Sequence, residues 1–430
     1  MRESILVPPR DAMRLWLALP AAAVSLGWGL RGYIGGGPLG AMIPGAMAAL
    51  VLAALLRQFR HAAWLAACGA LGIGIGGQMT YGQTVGLSLH PESFWWAMLG
   101  FALKGGAWGL AGGAIFGAGL LRDRPGWSAR GFISALAAML AATWAGWRFI
   151  NVPKLVYFSD PVNKPREELW AGLLAGSVAF LLLAARGPHR RIPWRFAAWA
   201  GLAGAAGFAL GAALQSWGRG LGSLQWLDWW KGMEFTFGAG LGLGFGLAAW
   251  LSRNDLQSDP EPPRAGAAPV ARSLFFAAAA AALVIGMEYR LPVRFNYSVA
   301  AALALAAALR WEPFARHLAV TVTVAAFVLD LAENKPLLSG ATGWSLTAAA
   351  GIASALWVSA TRAPRTMFLY LMWAAVAVSL VKTALPPDHW SPGHALTEAV
   401  FLALAVACTR WIRALPVPPP LPSGPPAVAS

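Results

Sequence analysis

Charge is what this sequence has least of. Asp, Glu, Lys and Arg make up 12% of its 430 residues, against about a quarter in a soluble domain. Hydrophobic residues make up 58%, and the mean hydropathy is +0.56. That balance excludes a water-soluble enzyme and a disordered chain. Only two cysteines are present, Cys68 and Cys408, which excludes a disulfide scaffold; both fall in apolar segments, which argues against a structural bridge. Catalytic signatures are missing as well. There is no G-x-S-x-G elbow, no HExxH helix, no phosphate-binding GK[ST] loop, and no dinucleotide, haem or zinc motif. No cofactor and no metal are expected. What remains is an all-α polytopic membrane protein.

Long apolar runs are present in abundance, and a spanning helix needs roughly 20 mostly apolar residues. Fourteen segments qualify or nearly do: 15–34, 38–56, 62–85, 94–121, 131–150, 168–185, 196–216 and 227–251, then 272–288, 295–309, 315–332, 341–360, 364–383 and 394–412. The first follows Arg2, Arg10 and Arg14 as a signal peptide would, yet it runs on too long, so it reads as a retained span.

The net charge of +15 would suggest nucleic acid in a soluble protein. Here it sorts by membrane side. With the N-terminus placed inside, the inner loops collect 21 Arg, no Lys and 7 acids, so every alternate loop obeys the positive-inside rule. That alternation predicts an even span count, both termini cytoplasmic, and no nucleic-acid partner. The Arg-rich, Ala-rich composition suggests a bacterial inner membrane.

The two halves differ. Residues 1–252 hold 42 of the 49 glycines, so the expected organisation is a Gly-rich eight-span unit (1–252), a cytoplasmic linker (253–271), a six-span unit (272–414) and a Pro-rich disordered tail (415–430). The run Gly238, Gly240, Gly242, Gly244, Gly246 is small on both faces of a helix. That suits a helix packed between two neighbours, or a segment unwound beside a cavity. Residues 62–121 and 196–251 form a weak parallel repeat, both running outward and then returning.

Sharper chemistry lies at the outer helix ends. Four outward-running helices finish on an aromatic–glycine cluster and a polar donor: Trp28-Gly29-Leu30-Arg31, Tyr81-Gly82-Gln83, Gly146-Trp147-Arg148 and Trp217-Gly218-Arg219. The returning helices add Lys104, about ten residues and roughly 15 Å into its span, and Lys231 at the matching repeat position, with Glu234 one turn on. Interfacial belts and snorkelling account for each helix end separately. They account poorly for Lys104, since a mid-membrane charge normally faces a cavity or a partner. The functional alternative is an outward-facing basic cavity of Arg31, Gln83, Lys104, Arg148, Arg219 and Lys231, with Glu234 beside it and Gln78, Tyr81 and Gln215 as neutral donors. Such a cavity suits a carboxylate, phosphate or diphosphate.

Elsewhere, Glu167 and Glu168 read as acids in the first turn of a helix, where they favour its dipole. Asp330 and Glu333 share a helix face, as do His394 and Glu398. Three function classes follow. A transporter or flippase would take an anionic small molecule or lipid headgroup in the basic cavity. A membrane transferase would act on a lipid-linked phosphate at the outer face, with Asp160, Asp330, Asp388 or His394 as base. A scaffold would use its charges only to anchor helices in the lipid bilayer. The transporter leads, because no catalytic constellation is identifiable.

Overall fold

A computed structural model describes residues 9–34, 36–159, 166–256, 269–286, 294–334, 340–361, 363–384 and 391–416. Most of the expected linker (257–268) and of the Pro-rich tail (417–430) lies outside the described residues. The described chain is all-helical. The first half contains α1 (Pro9–Ile34), α2 (Gly37–Leu55), α3 (Ala62–Gly76), a short α4 (Gly82–Ser88), α5 (Phe94–Gly119), α6 (Ala129–Gly146), α7 (Trp170–Ala184), α8 (Arg191–Arg219) and α9 (Trp229–Ser252). The second half contains α10 (Val270–Ala281), α11 (Asn296–Arg310), α12 (Glu312–Arg316), α13 (Val322–Asn334), α14 (Gly340–Ser359), α15 (Pro364–Ala384) and α16 (Pro392–Ala414). Eight helices among the described residues are long and apolar enough to cross a membrane. Large apolar side chains such as Trp95, Phe149, Leu182, Leu202, Phe275 and Trp344 stand exposed. In water this surface would aggregate; in lipid it is the expected outer face. The protein is a polytopic integral membrane protein.

Helices α1, α2, α3, α5, α8 and α9 pack in that cyclic order and close a ring. Helices α6 and α7 pair with each other and reach the ring through α5, while α15 and α16 cover α2 and α1 from the other side and α11 covers α3. Helix α2 is therefore enclosed nearly all round, and its residues from Pro38 to Leu55 are buried. Its even hydrophobicity follows from that position.

Glycine lets the ring close. In α5, Gly105, Gly109, Gly113 and Gly117 recur every fourth residue and form one stripe. A Cβ on any of them would strike α8 at Gly204, Ala200, Phe196 or Pro193. Helix α9 is continuous through its glycine run. Gly238, Gly242 and Gly246 abut Val24, Pro20 and Trp16 of α1, while Gly240 and Gly244 abut Ala203 and Trp199 of α8. The alternation thus serves two close neighbours, as small residues do where lipid provides no hydrophobic drive for helix association.

The unwinding occurs elsewhere. The expected single helix over 62–85 is interrupted: α3 stops at Gly76, the chain turns through Gly77–Tyr81, and α4 begins at Gly82. The cause is local packing. A Cβ at Gly76 would strike the Trp108 indole, and one at Gly77 would lie 2.5 Å from the Gly37 carbonyl oxygen. At the end of α3 the carbonyls of Gly74, Ile75 and Gly76 accept from the backbone of the following turn, and side chains add further bonds. Trp108 Nε1 donates to Ile73 O at 2.8 Å, and Gln78 Nε2 donates to Ile75 O at 3.2 Å and to Ser298 Oγ at 2.6 Å.

Candidate functional site

The break after α3 brings Tyr81 into the mouth of the ring, opposite the end of α1. There Arg31 is 3% exposed. Its guanidinium lies 5.4 Å from the Trp28 ring, 5.7 Å from Tyr81 and 5.3 Å from Trp108, and its Nη1 donates to Tyr81 Oη at 2.9 Å. Each ring face attracts a cation. Beneath the guanidinium, Trp28, Trp108, Phe208 and Phe237 interlock, with Phe208 stacked on Phe237 at 4.3 Å. The ring of helices is therefore filled by aromatics and capped by one buried guanidinium.

Lys231 and Glu234 lie beside it on the first turns of α9. Asp228 caps that helix, its Oδ1 accepting from Lys231 N at 3.1 Å. Lys231 Nζ is 2.5 Å from Glu234 Oε2 and donates to Gly29 O at 3.2 Å. The pair sits directly over Gly32, where a Cβ would strike both head groups. Trp230 Nε1 donates to Glu234 Oε1 at 3.1 Å, and the Trp230 ring stacks on Tyr81 at 5.9 Å. Trp230 also lines an open cleft of about 380 Å³ with Arg219, Gln225, Asp228 and Trp229. The Trp230 indole thus touches both the open cleft and the Arg31–Tyr81–Lys231–Glu234 cluster.

Several buried polar atoms at this end have no partner among the described residues, Arg31 Nε, Thr80 Oγ1 and both amide atoms of Gln83 and of Gln215, and others such as Trp127 Nε1, Ser252 Oγ and Arg316 Nε lie elsewhere. Gln215 is 1% exposed. Gly211, Gln215 and Gly218 share one face of α8. Gly211 abuts Met233 and Gly218 abuts Trp229, so Gln215 faces the start of α9. Buried polar groups in folded proteins are normally satisfied, so a cluster of them marks a place built for something polar.

Lys104 belongs to a separate assembly. It is 1% exposed, and its Nζ lies 2.9 Å from Glu168 Oε1 and 2.8 Å from Thr84 Oγ1. Glu168 also accepts from Ser159 Oγ at 3.1 Å, Phe158 N at 3.2 Å and Trp170 Nε1 at 3.2 Å. Thr84 in turn donates to Phe158 O at 2.9 Å. Lys104 therefore ties Phe158, Ser159 and Glu168 to α4 and α5. This corrects the reading of Glu168 as a helix-end acid: it precedes α7, turns inward and neutralises Lys104. Glu167 accepts from Trp147 Nε1 at 2.5 Å and pairs with Arg294 Nε at 2.8 Å.

The expected donors are thus not gathered in one open cavity. Arg31, Lys231 and Glu234 come together, Gln83 lies two residues past Tyr81, and Lys104 is sealed apart. Arg148, on a π-helical turn (Trp147–Asn151), and Arg219 are exposed. Asp160 and Asp388 lie outside the described residues, and Asp330 lies on α13 with its side chain outside the description. His394 is half-buried at the start of α16, where its backbone N donates to Ser391 Oγ. Glu398 accepts from Ser379 Oγ at 2.8 Å and Thr383 Oγ1 at 2.7 Å. Among the described residues, no three His, Cys, Asp or Glu side chains are placed to hold a metal ion.

Sequence reasoning missed Trp108 and Trp230. The available signal was position: Trp108 lies one turn after Lys104, and Trp230 adjoins Lys231. No family model, no curated protein and no solved structure matches this chain.

Proposed function

We propose that this protein is a secondary transporter or flippase that takes an anionic group, a carboxylate or a phosphate, at Arg31. The observation that carries the reading is a buried guanidinium with no carboxylate bonded to it among the described residues, at the end of the ring where Gln83 and Gln215 also have partnerless amide atoms. A guanidinium held away from water is costly unless something anionic meets it, and planar oxyanions match its fork. Trp230 is the gate between the Arg219 cleft and the cluster. Glu234 holds Lys231 until an anion competes for that ammonium. Lys104, fully bonded to Glu168 and Thr84, is assigned to structure and not to binding.

The finer architecture belongs to the same proposal. Fourteen spans, cytoplasmic Arg-rich loops and both termini inside put the Arg31 end on the extracytoplasmic face of a bacterial inner membrane. The parallel repeat is supported by its corresponding helix pairs, since α3 packs on α5 as α8 packs on α9. The carrier reading is favoured over a transferase because the cluster assembles two buried cations beside a cleft, with no nucleophile and base paired in it among the described residues.

The test is thermal shift and proteoliposome flux on purified protein with mono- and dicarboxylates, phosphate and polyprenyl phosphate. One anion class should raise Tm by mass action and move across the bilayer. Arg31→Gln should lose at least about tenfold in affinity, the scale of a charge-assisted hydrogen bond. If no anion shifts wild type, or if Arg31→Gln responds as wild type does, the reading is wrong.

A further inference from the structure

A second charged site lies at the opposite, Arg-rich end of the same helix bundle. The C-terminal part of α7 and the N-terminal part of α8 border a groove of about 670 Å³, lined by Leu182, Arg190, Arg191, Trp194, Ala198 and Leu202 among others. A smaller hollow of about 350 Å³ adjoins it and shares Arg190, Arg191 and Arg195. Arg195 is already neutralised: its Nη1 pairs with Asp255 and donates to Leu251 O at 3.1 Å. Arg190 and Arg191 are exposed and form no ion pair among the described residues. Along α8, residues 191, 194, 198 and 202 follow one stripe. They pass from guanidinium through indole to aliphatic side chains over eleven residues, about 16 Å at 1.5 Å per residue. That is the depth of one bilayer leaflet, roughly half of the 30 Å hydrocarbon core. Across the groove, Leu182 is 61% exposed, and Leu202 is 65% exposed.

We propose that this groove is a binding site for an acidic phospholipid, with the phosphate held by Arg190 and Arg191 and one acyl chain laid along Trp194, Ala198 and Leu202. The complementarity is in both charge and depth. The mouth carries two uncompensated cations at the headgroup level, and the wall below is apolar for the length of a chain. Basic pockets of this kind between membrane helices recognise anionic headgroups.

The experiment uses the full-length protein in neutral detergent, read by native mass spectrometry and thermal shift. The probes are phosphatidylglycerol, phosphatidylcholine and free glycerol phosphate. Phosphatidylglycerol should remain bound at one copy and raise Tm, while phosphatidylcholine and glycerol phosphate at equal concentration do neither. The double variant Arg190→Gln, Arg191→Gln should weaken phosphatidylglycerol by about tenfold or more. Ala198→Phe fills the exposed lower groove, leaves both charges, and should weaken it as well. Arg410→Gln with Arg413→Gln, the same charge loss at the end of α16, should not. Equal loss in the control pair, full retention in the double variant, or glycerol phosphate binding as well as the lipid would each overturn the proposal.

Discussion

The two buried lysines of the glycine-rich half, Lys104 well inside α5 and Lys231 in the first turn of α9, are held very differently. Lys104 is bonded to an acid 64 residues away, and that acid accepts from the loop backbone, a serine and an indole besides. Lys231 is bonded to an acid three residues away on its own helix, and the one indole that supports that acid borders an open cleft. Burial does not separate the two pairs. Connectivity does: the first ties together a loop and three helices through several bonds to its acid, while the second is formed within one helix and reaches α1 through the bond of Lys231 to the Gly29 carbonyl.

The largest expected effect falls on the first pair. Glu168→Gln leaves Lys104 charged about ten residues into its span, too deep to reach water along the helix. Breaking a buried pair by removing one partner costs about 3–5 kcal/mol. Unfolding in mixed micelles should show a loss of that size, with the 151–169 loop open to proteolysis. Adding Lys104→Met should recover most of it, because the stranded charge is gone. A Glu168→Gln protein within about 1 kcal/mol of wild type would remove the distinction between the pairs.

Glu234→Gln should cost less stability, about 1–2 kcal/mol, because Lys231 keeps the Gly29 carbonyl and lies in the first turn of α9, where its stem can snorkel outward. Its sharper effect is on binding. Removing the carboxylate raises the positive potential around Arg31, so anion affinity should rise several-fold while release slows and net flux falls. Titration and flux on the same preparation decide this. Weakened anion binding would mean that Glu234 organises the site instead of competing with the ligand.

These contrasts explain what could be read in advance. Helix positions follow from runs of about 20 apolar residues, and the observed helices fall close to the expected segments. The role of Gly238–Gly246 was legible because alternate small residues clear two faces of one helix. The Lys231–Glu234 pair was legible because helical spacing alone brings the two within reach. Glu168 as the partner of Lys104 was not, since the two lie 64 residues apart and only tertiary packing brings them together. The break at Gly76–Gly77 left a local trace, because Gly77, Gln78, Thr80, Gly82 and Gln83 interrupt the apolar run, but the residue packed against it, Trp108, comes from another helix. Tertiary partners take part in both.

The smallest effect tests the gate itself. Trp230→Phe keeps an aromatic ring to stack on Tyr81 and deletes only the N–H that reaches Glu234 Oε1 at 3.1 Å. One hydrogen bond is worth about 1 kcal/mol net, so stability should fall by no more than that, far below the loss at Glu168. If Trp230 closes the route from the Arg219 cleft, the smaller, unanchored phenyl ring should speed both arrival and release of the anion, and stopped-flow traces should show several-fold faster exchange at nearly unchanged affinity. Affinity lost with exchange rates unaltered in the binding direction would place Trp230 in the ligand contact. In that case the second pair, too, would be a fixed part of a binding surface, and the contrast between the two lysines would be one of location and not of mobility.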